Sequence, residues 1–349
     1  MWFLLAACVP FPHPAALTLA PLAPEPSPGV VFRLVVAGDA GVEPEDARAG
    51  TMGLLPALPA AMREAATGMD AEIVWLGDNV YEAGVGPRPK GIARARGILA
   101  AQVAAGPTPA QVSFVPGNHD YLQLAALRDR LGREADLIHD LGAHARAFGP
   151  PVERVPVAGT PFVRLYVDSE RGIEDSAGAR AEILAAVTGE EMAGHIPIVL
   201  GHHPAADVGP HGQPSLGAVI HTEMGHPQYR TYAADLVGAL RGGDGLLVAG
   251  HEHAISLLRI DAVPGTVVQV VSGSAAKGRL GAPASDPRID RRPGFVTLDL
   301  HADGAVDATP WFLQPDGAAG VGERCRPVTA AAPAAVCTPG TALASGSAP

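Results

Sequence analysis

The chain has 349 residues and a formal net charge of −11, with 47% hydrophobic and 17% charged residues. This composition excludes a disordered chain, and an acidic charge without any basic run disfavours a nucleic-acid-binding protein. No apolar stretch reaches the roughly 18 residues that a membrane-spanning helix needs.

Residues 1–29 are predicted to precede the folded domain, since seven prolines between residues 10 and 28 favour an extended tether. The apolar run that ends in Leu5-Ala6-Ala7-Cys8 resembles a bacterial lipobox. We therefore expect an exported protein, periplasmic or anchored to a membrane by lipid on Cys8. A signal peptide needs a positive n-region, however, and no Lys or Arg precedes Arg33. The alternatives are a start further upstream and an ordinary apolar N-terminus on a cytoplasmic protein.

Residues 30–313 are predicted to form one α/β domain, because β-branched apolar runs there alternate with helical patterns. Strands are expected at 30–37, 72–76, 111–115, 162–167, 196–200, 246–249, 256–260, 266–271, 295–300 and 305–313. Helices are expected at 54–66, 91–104, 122–131, 179–187 and 229–241.

Five of the predicted strands end in a glycine followed by residues that can bind a metal ion. In chain order the five turns are Gly38-Asp39-Ala40-Gly41, Gly77-Asp78-Asn79-Val80-Tyr81, Gly117-Asn118-His119-Asp120, Gly201-His202-His203-Pro204 and Gly250-His251-Glu252-His253. Ligands of open α/β sheets bind beyond the carboxyl ends of the strands, so these turns are expected to face one crevice. Singly, such an Asp is more often a turn or helix cap, and such histidines are ordinary surface groups. Together the five turns predict a metal site.

The five turns resemble the motifs of the calcineurin-like metallophosphoesterase superfamily, and more narrowly those of the purple acid phosphatases of tartrate-resistant type. Most of the superfamily has a His where this chain has Gly41. Purple acid phosphatases instead combine Gly-Asp-x-Gly in the first motif with Gly-Asp-x-x-Tyr in the second. Both features are present here, in Asp39/Gly41 and in Asp78/Tyr81. The resemblance spans residues 31–300 and implies two facing β-sheets flanked by helices.

The resemblance also implies a dinuclear metal centre with a definite division of ligands. One ion would be bound by Asp39, Tyr81 and His253, the other by Asn118, His202 and His251, and both by a bridging Asp78. The hard anionic ligands of the first ion favour Fe(III), and the neutral ligands of the second suit a divalent ion such as Fe, Zn or Mn. Such a pair clamps a phosphoryl group and activates a water, so that no side-chain nucleophile is needed.

Two further histidines receive catalytic roles from the resemblance. His119 would lie over the substrate, where it could protonate the leaving group, and His211 corresponds to a substrate-facing His-Gly. His203 stands where these enzymes usually have Tyr. The remaining charged residues near the motifs are not expected to be ligands. Lys277 is expected in a solvated loop, the alternative being that it offers its charge to a phosphate. Asp120 and Asp168 are expected to be caps or hydrogen-bond acceptors.

The predicted function is hydrolysis of phosphomonoesters, on a phosphorylated small molecule or a phosphoprotein. The motifs report the metal chemistry and say little about the leaving group. A phosphodiesterase or nucleotide pyrophosphohydrolase with the same metal centre is therefore the close alternative. A surface lipoprotein that uses the metal domain only for binding is the alternative from another class.

Residues 314–349, rich in Ala, Pro and Gly, are predicted to be a flexible tail. Cys325 and Cys337 are its distinctive residues, and they form an even pair once Cys8 is assigned to lipid. A disulfide between them would need an oxidising compartment, which fits export. The alternative is two unpaired thiols.

Overall fold

The computed structural model describes residues 14–16, 29–44, 53–121, 129–175, 178–206, 226–240, 245–261, 266–278, 290–313, 319–321, 324–326 and 336–338. The strands are β1 (Pro14–Ala16), β2 (Val30–Ala37), β3 (Ala71–Leu76), β4 (Val112–Val115), β5 (His144–Ala145), β6 (Val152–Pro156), β7 (Phe162–Val167), β8 (Ile196–Leu200), β9 (Leu246–Ala249), β10 (Ile255–Asp261), β11 (Thr266–Ser272), β12 (Gly294–His301), β13 (Val306–Leu313), β14 (Ala319–Val321), β15 (Arg324–Arg326) and β16 (Val336–Thr338). The helices are α1 (Ala57–Ala66), α2 (Pro89–Val103), α3 (Asp129–Asp140), α4 (Ser169–Glu174), α5 (Ala179–Met192) and α6 (Pro227–Ala239).

Within these residues the strands form two mixed sheets. Sheet I has nine strands in the order β16-β15-β13-β12-β2-β3-β4-β5, with β14 paired to β13, and sheet II has seven in the order β1-β10-β11-β9-β8-β7-β6. One block of neighbouring strands in each sheet is parallel: β2 to β5 in sheet I, and β7, β8, β9 and β11 in sheet II. Since the carboxyl ends of parallel strands share one edge, each sheet presents a row of strand ends.

Hydrophobic cores hold the two sheets between the helices. Successive side chains of a strand face opposite sides, so β2 buries Leu34 and Val36 between the sheets but Val35 and Ala37 beneath the helices α1 to α3. Sheet II repeats the arrangement, with α4, α5 and α6 packed over a core that contains Val199. The layers therefore run helices, sheet I, sheet II, helices. This confirms the predicted α/β fold of two facing sheets flanked by helices.

Most predicted elements are confirmed within a few residues, and β2, β7, β8 and β9 have the predicted bounds. The helix predicted at 122–131 is confirmed for its last three residues, since α3 spans Asp129–Asp140, and residues 122–128 lie outside the described residues. The predicted helix ends at the residue before Gly132, whereas α3 continues to Asp140. The helix continues past this glycine because it buries Leu131, Leu137 and Ile138 on one face. That burial outweighs the roughly 1 kcal/mol that a glycine costs within a helix.

Both terminal segments contribute short strands to the sheets. β1 pairs with β10 although residues 1–29 are predicted to be a tether, and β14 and β15 pair with β13 although residues 314–349 are predicted to be a flexible tail. Such pairing uses backbone groups and leaves no side-chain pattern in the sequence. Cys8 lies outside the described residues. None of the helices in the described part of the chain is long and apolar enough to cross a membrane.

The register of β15 and β16 yields a prediction about the cysteine pair. Cys325 and Cys337 are directly opposite each other in this antiparallel pair. Opposite positions have Cα atoms about 4.5–5.5 Å apart, which is within the range of a disulfide. We expect protein made in an oxidising compartment to carry this disulfide, so its intact mass should rise by two hydrogen atoms on reduction. Alkylation of both cysteines without prior reduction would contradict the prediction, and Cys325→Ser is the control that abolishes the mass change.

Candidate metal centre

The five predicted turns meet where the two sheets face each other. Those after β2, β3 and β4 lie at the edge of sheet I, and those after β8 and β9 lie at the edge of sheet II. The Asp39 N–H donates to the Gly77 carbonyl at 3.0 Å, and the Gly250 N–H donates to the His202 carbonyl at 2.9 Å. Between the sheets, the His251 N–H donates to Asp39 Oδ2 at 2.8 Å. The predicted crevice is therefore a junction of both sheets.

Four of the predicted ligands have a left-handed backbone. Asp39, Asp78, His251 and His253 have φ angles between 48° and 69°. Residues other than glycine rarely adopt this region, which costs about 1–2 kcal/mol per residue. In the described part of the chain, only two further non-glycine residues have positive φ. Strain of this kind clusters at functional sites, where it directs side chains that a relaxed turn would point elsewhere.

One group of predicted ligands surrounds the Tyr81 hydroxyl oxygen. This oxygen is 2.5 Å from Asp78 Oδ2, 2.9 Å from Asp39 Oδ1 and 3.3 Å from His253 Nε2. His253 Nε2 is also 3.3 Å from Asp39 Oδ1. Two carboxyl groups, a phenol and an imidazole thus bring one atom each to a single point. This is the combination that the sequence predicts for the first ion.

A second group surrounds Nε2 of His202. Its neighbours are Asn118 Oδ1 at 2.9 Å, His251 Nδ1 at 3.2 Å and Asp78 Oδ1 at 3.3 Å. The other ring nitrogen of His202, Nδ1, lies 2.7 Å from the Leu76 carbonyl and donates to it. This hydrogen bond fixes the tautomer, so that Nε2 is the nitrogen that can bind a metal. These are the residues predicted for the second ion.

Asp78 belongs to both groups. Its Oδ2 contacts the Tyr81 hydroxyl, and its Oδ1 lies beside His202 Nε2, so each oxygen faces a different set of ligand atoms. The ligand atoms of Asp39, Asp78 and His202 all lie within 4.8 Å of one another. The geometry thus offers two adjoining cation sites that share one carboxylate.

The buried carboxylates of the crevice favour a bound cation. Asp39 and Asp78 are 0% and 1% exposed. Burial, followed by the charges of these two carboxylates, raises the pKa of Tyr81 well above its usual value. For His202, burial lowers the pKa, but the charges of Asp78 and Asp39 outweigh it and raise the pKa overall. Proteins neutralise buried anions with paired charges or with metals. Carboxylate, phenolate, amide and imidazole are common metal ligands, so these residues fit the implied dinuclear centre.

Gly41 and the loop that carries Tyr81 depend on each other. A Cβ at position 41 would lie 2.6 Å from Val80 N and 2.7 Å from Tyr81 N, closer than real Cβ contacts. Instead, the Gly41 N–H donates to the Asp78 carbonyl and the Gly41 carbonyl accepts from the Tyr81 N–H, each at 3.0 Å. The loop that delivers the phenol therefore occupies the space that a side chain at position 41 would need. This gives a physical reason for the coupled Gly and Tyr motifs.

Of the two predicted catalytic histidines, only His119 lies within the described residues. Its ring centre is 4.5 Å from that of Tyr81, and its Nδ1 is 2.7 Å from the Glu82 carbonyl. Because a carbonyl only accepts, Nδ1 carries a proton and Nε2 is the nitrogen available to a substrate. His211 lies outside the described residues, so its predicted role stays a prediction.

His203 is held beside the second group. Ser169 Oγ accepts from the N–H groups of His202 and His203 at 3.2 Å and 3.1 Å, and it lies within hydrogen-bond distance, 2.8 Å, of His203 Nδ1. Nε2 of His203 lies 3.5 Å from Glu170 Oε2. The ring nitrogens of His203, His202 and His251 could also hold a metal ion. Sequence reasoning missed Ser169 and Glu170, whose only signal is that they follow a buried strand.

A buried polar network holds the second and third turns in place through hydrogen bonds. Asp120 accepts from the N–H groups of Asn79, Val80 and Gly117 at 2.9, 3.0 and 2.8 Å. This confirms its predicted role as a hydrogen-bond acceptor. The Asn79 amide donates to Glu134 on α3 at 3.2 Å. Neither Asn79 nor Glu134 was singled out from the sequence, because their pairing joins segments that are 55 residues apart.

Lys277 lies at the site, and the solvated loop predicted for it is wrong. Its Nζ is 3.9 Å from the centre of the Tyr81 ring, and 17% of its side chain is exposed. The face of an aromatic ring attracts a cation. The turn after β11 brings the lysine here, because the Ala276 N–H donates to the Asp39 carbonyl at 3.1 Å. Such a long-range contact leaves no local signal in the sequence.

The comparisons with known proteins are distant. No protein-family model matches the chain, and no curated protein matches it. Among solved structures, the chain is similar to purple acid phosphatase PPD1 isolated from yellow lupin (Lupinus luteus) seeds, with 15% sequence identity and a TM-score of 0.46. The match covers 83% of this chain and 53% of that one, so the chain spans about half the length of the lupin protein. At such low sequence identity, the function has to be inferred from the residues of the crevice.

Asp168 caps helix α4, directly before Ser169. It accepts from the Arg171 N–H at 3.1 Å and from the Tyr121 hydroxyl, which confirms the predicted capping role. Burial raises the pKa of Asp168 from an ordinary 3.8 to about 6. The folded protein therefore binds this proton more tightly than the unfolded chain does.

We expect Asp168→Asn to flatten the pH dependence of stability of the metal-free protein. The raised pKa stabilises the fold fully below about pH 4, and this contribution of roughly 3 kcal/mol is lost as the pH rises through about 6. Asn keeps an acceptor oxygen without a titrating charge. Between about pH 4.5 and pH 8, the free energy of unfolding in urea should therefore fall less for the variant than for the wild type. Equal losses would contradict the prediction, and Asp136→Asn, at an exposed position of α3, is the control that should follow the wild type.

Proposed function

We propose that this chain is a metal-dependent phosphoesterase that hydrolyses phosphomonoesters at a dinuclear centre. The observation that carries the proposal is Asp78, whose two oxygens face two separate sets of buried ligand atoms. Two cations about 3.5–4 Å apart are the arrangement that many phosphatases use to clamp both the attacking and the leaving oxygen. The motif resemblance to purple acid phosphatases, through Gly41 and Tyr81, supports the same chemistry.

The two sets of ligands suit different ions. The set around the Tyr81 hydroxyl contains a second carboxyl group, so its hard anionic oxygens would hold Fe(III). The set around His202 Nε2 adds only neutral amide and imidazole groups to Asp78, so it would hold a divalent Fe, Zn or Mn ion. Bound there, the ions would polarise the phosphoryl oxygens and lower the pKa of the attacking water.

The residues of the chain supply proton transfer and substrate attraction. Two hydrogen bonds fix His119. Its backbone N–H donates to Asp78 Oδ1 at 2.9 Å, and its ring Nδ1 donates to the Glu82 carbonyl at 2.7 Å. Its Nε2 can then donate a proton to the leaving alkoxide. Lys277, beside the Tyr81 ring, adds a positive charge for an anionic substrate.

We expect Asp78→Ala to abolish turnover of an aryl phosphate and to remove both metals. The substitution takes one oxygen from each ligand set, and it leaves two cations to repel each other. Asp39→Ala should lose less of the second ion, because Asp39 contacts the second set through the backbone N–H of His251 and not through a ligand atom. Assays of phosphate release and metal content would check both variants, with His144→Ala, on β5 and outside both ligand sets, as the control. Normal turnover with full metal content in Asp78→Ala would refute the bridging role.

We expect the iron-loaded protein to be purple to pink, because a phenolate donates charge to Fe(III). Tyr81→Phe removes only the hydroxyl, so it should lose the visible absorption band and bind iron more weakly while keeping the fold. Absorption spectra, iron analysis and circular dichroism would test this. No band in the iron-loaded wild type, or a band that Tyr81→Phe leaves unchanged, would show that Tyr81 is a core aromatic residue beside the site and not an iron ligand.

A further inference from the structure

The backbone around Lys277 is attached to the first turn of the candidate metal centre. In the turn after β11, the Ala275 N–H donates to the Gly38 carbonyl at 3.2 Å. The Ala276 N–H donates to the Asp39 carbonyl at 3.1 Å. Lys277 directly follows these two residues, so its Cα is held beside the crevice before its side chain makes any contact.

The ammonium group of Lys277 lies on the ring of Tyr81. Its Nζ is 3.9 Å from the centre of the ring, which is the arrangement of a cation–π contact. Only 17% of the Lys277 side chain and 3% of Tyr81 are exposed. Water screens such a buried contact poorly, so the charge of Lys277 acts on the ring more strongly than it would at a surface.

Glu82 neutralises this charge only in part. Its Oε1 is 3.9 Å from Lys277 Nζ, but 76% of its side chain is exposed. Solvent and salt screen an exposed carboxylate, and ion pairs of this kind are weak. The ring, which is buried, therefore experiences a larger share of the lysine charge than the carboxylate does.

The hydroxyl oxygen of Tyr81 and its ring contact different groups. The oxygen contacts Asp39, Asp78 and His253. Lys277 contacts the ring instead. A phenolate shares its negative charge between the oxygen and the ring, so a cation over the ring draws charge away from the oxygen. Less charge is then left for the oxygen to donate to an ion held by this ligand set.

We propose that Lys277 is a positioning residue that tunes the first metal site through the ring of Tyr81. The inference rests on the proposed function, because it requires Tyr81 to bind Fe(III) as a phenolate. It gives Lys277 a task besides the attraction of an anionic substrate. By limiting the charge that the phenolate donates, Lys277 keeps the ligand set a weaker donor, which favours polarisation of a phosphoryl oxygen.

The direction of a spectral shift tests the proposal. The visible band of an iron-loaded protein arises when light moves an electron from the phenolate ring to Fe(III). A cation over the ring makes this transfer more costly, whereas a cation nearer to the iron would make it easier. Lys277→Met removes the charge and keeps the length of the side chain. We expect its band to lie at longer wavelength than that of the wild type, by roughly 10 nm or more. An unchanged band, or a shift to shorter wavelength, would overturn the inference.

Three further variants separate the effect of charge from that of packing. Lys277→Arg keeps a cation, so its band should stay close to that of the wild type. Lys277→Gln lacks the charge and should shift the band in the same direction as Lys277→Met, which provides the same test if the Met variant binds no iron. Lys90→Met removes the only other lysine of the chain, which is exposed on α2, and is the matched control. A shift in Lys277→Arg as large as that in Lys277→Met would assign the effect to packing and overturn the inference.

Assays of aryl phosphate turnover distinguish this inference from the proposed function. If Lys277 only attracts substrate, Lys277→Met raises KM and leaves the band of the substrate-free protein in place, which would overturn the inference. The expected shift in a protein that hydrolyses no phosphoester would overturn the proposed function and leave the role of Lys277 standing. A wild type that turns over phosphoesters but shows no band would overturn the inference and leave the phosphoesterase function standing.

Discussion

The position of Asp78 is the constraint on which the rest of the crevice depends. Its backbone is left-handed, with φ at 56°, and its Oδ1 accepts the His119 N–H. The third turn can approach this closely only because it begins with Gly117, where a Cβ would lie 2.3 Å from Asp78 N and 2.4 Å from Asp78 Oδ1. That approach places Asn118 beside His202, which comes from the other sheet. One carboxylate thus fixes the distance between turns of both sheets.

The strain of the turns is offset by hydrogen bonds outside the set of candidate ligands. Four left-handed residues cost about 1–2 kcal/mol each. Asp120 offsets part of this cost, because its carboxyl group accepts three backbone N–H groups. Burial raises the pKa of Asp120 to about 7, so desolvation of the carboxylate removes part of that gain. Ser169 likewise accepts the N–H groups of His202 and His203. The fold therefore holds the ligand atoms in position by its own interactions.

The sequence predicted those parts of the site that local patterns encode. A strand followed by glycine and a ligand is a local pattern, so the five turns and the strands β2, β7, β8 and β9 were found with few errors. Contacts between distant segments are not encoded locally. The sequence could not place Lys277 over Tyr81, and it gave no reason to connect Asn79 with Glu134. The short terminal strands were missed because they depend on backbone pairing alone.

The distribution of charge resolves an apparent conflict in an acidic protein that is proposed to bind phosphate. A net charge of −11 repels anions at long range, but salt screens charges beyond about 8–10 Å. Within that distance of Tyr81, Lys277 lies over the ring and contacts Glu82, and Arg94 donates to the carbonyl. Metal ions held by Asp39, Asp78 and the other candidate ligands would attract a small anion to the crevice, while the overall charge disfavours extended polyanions such as nucleic acid.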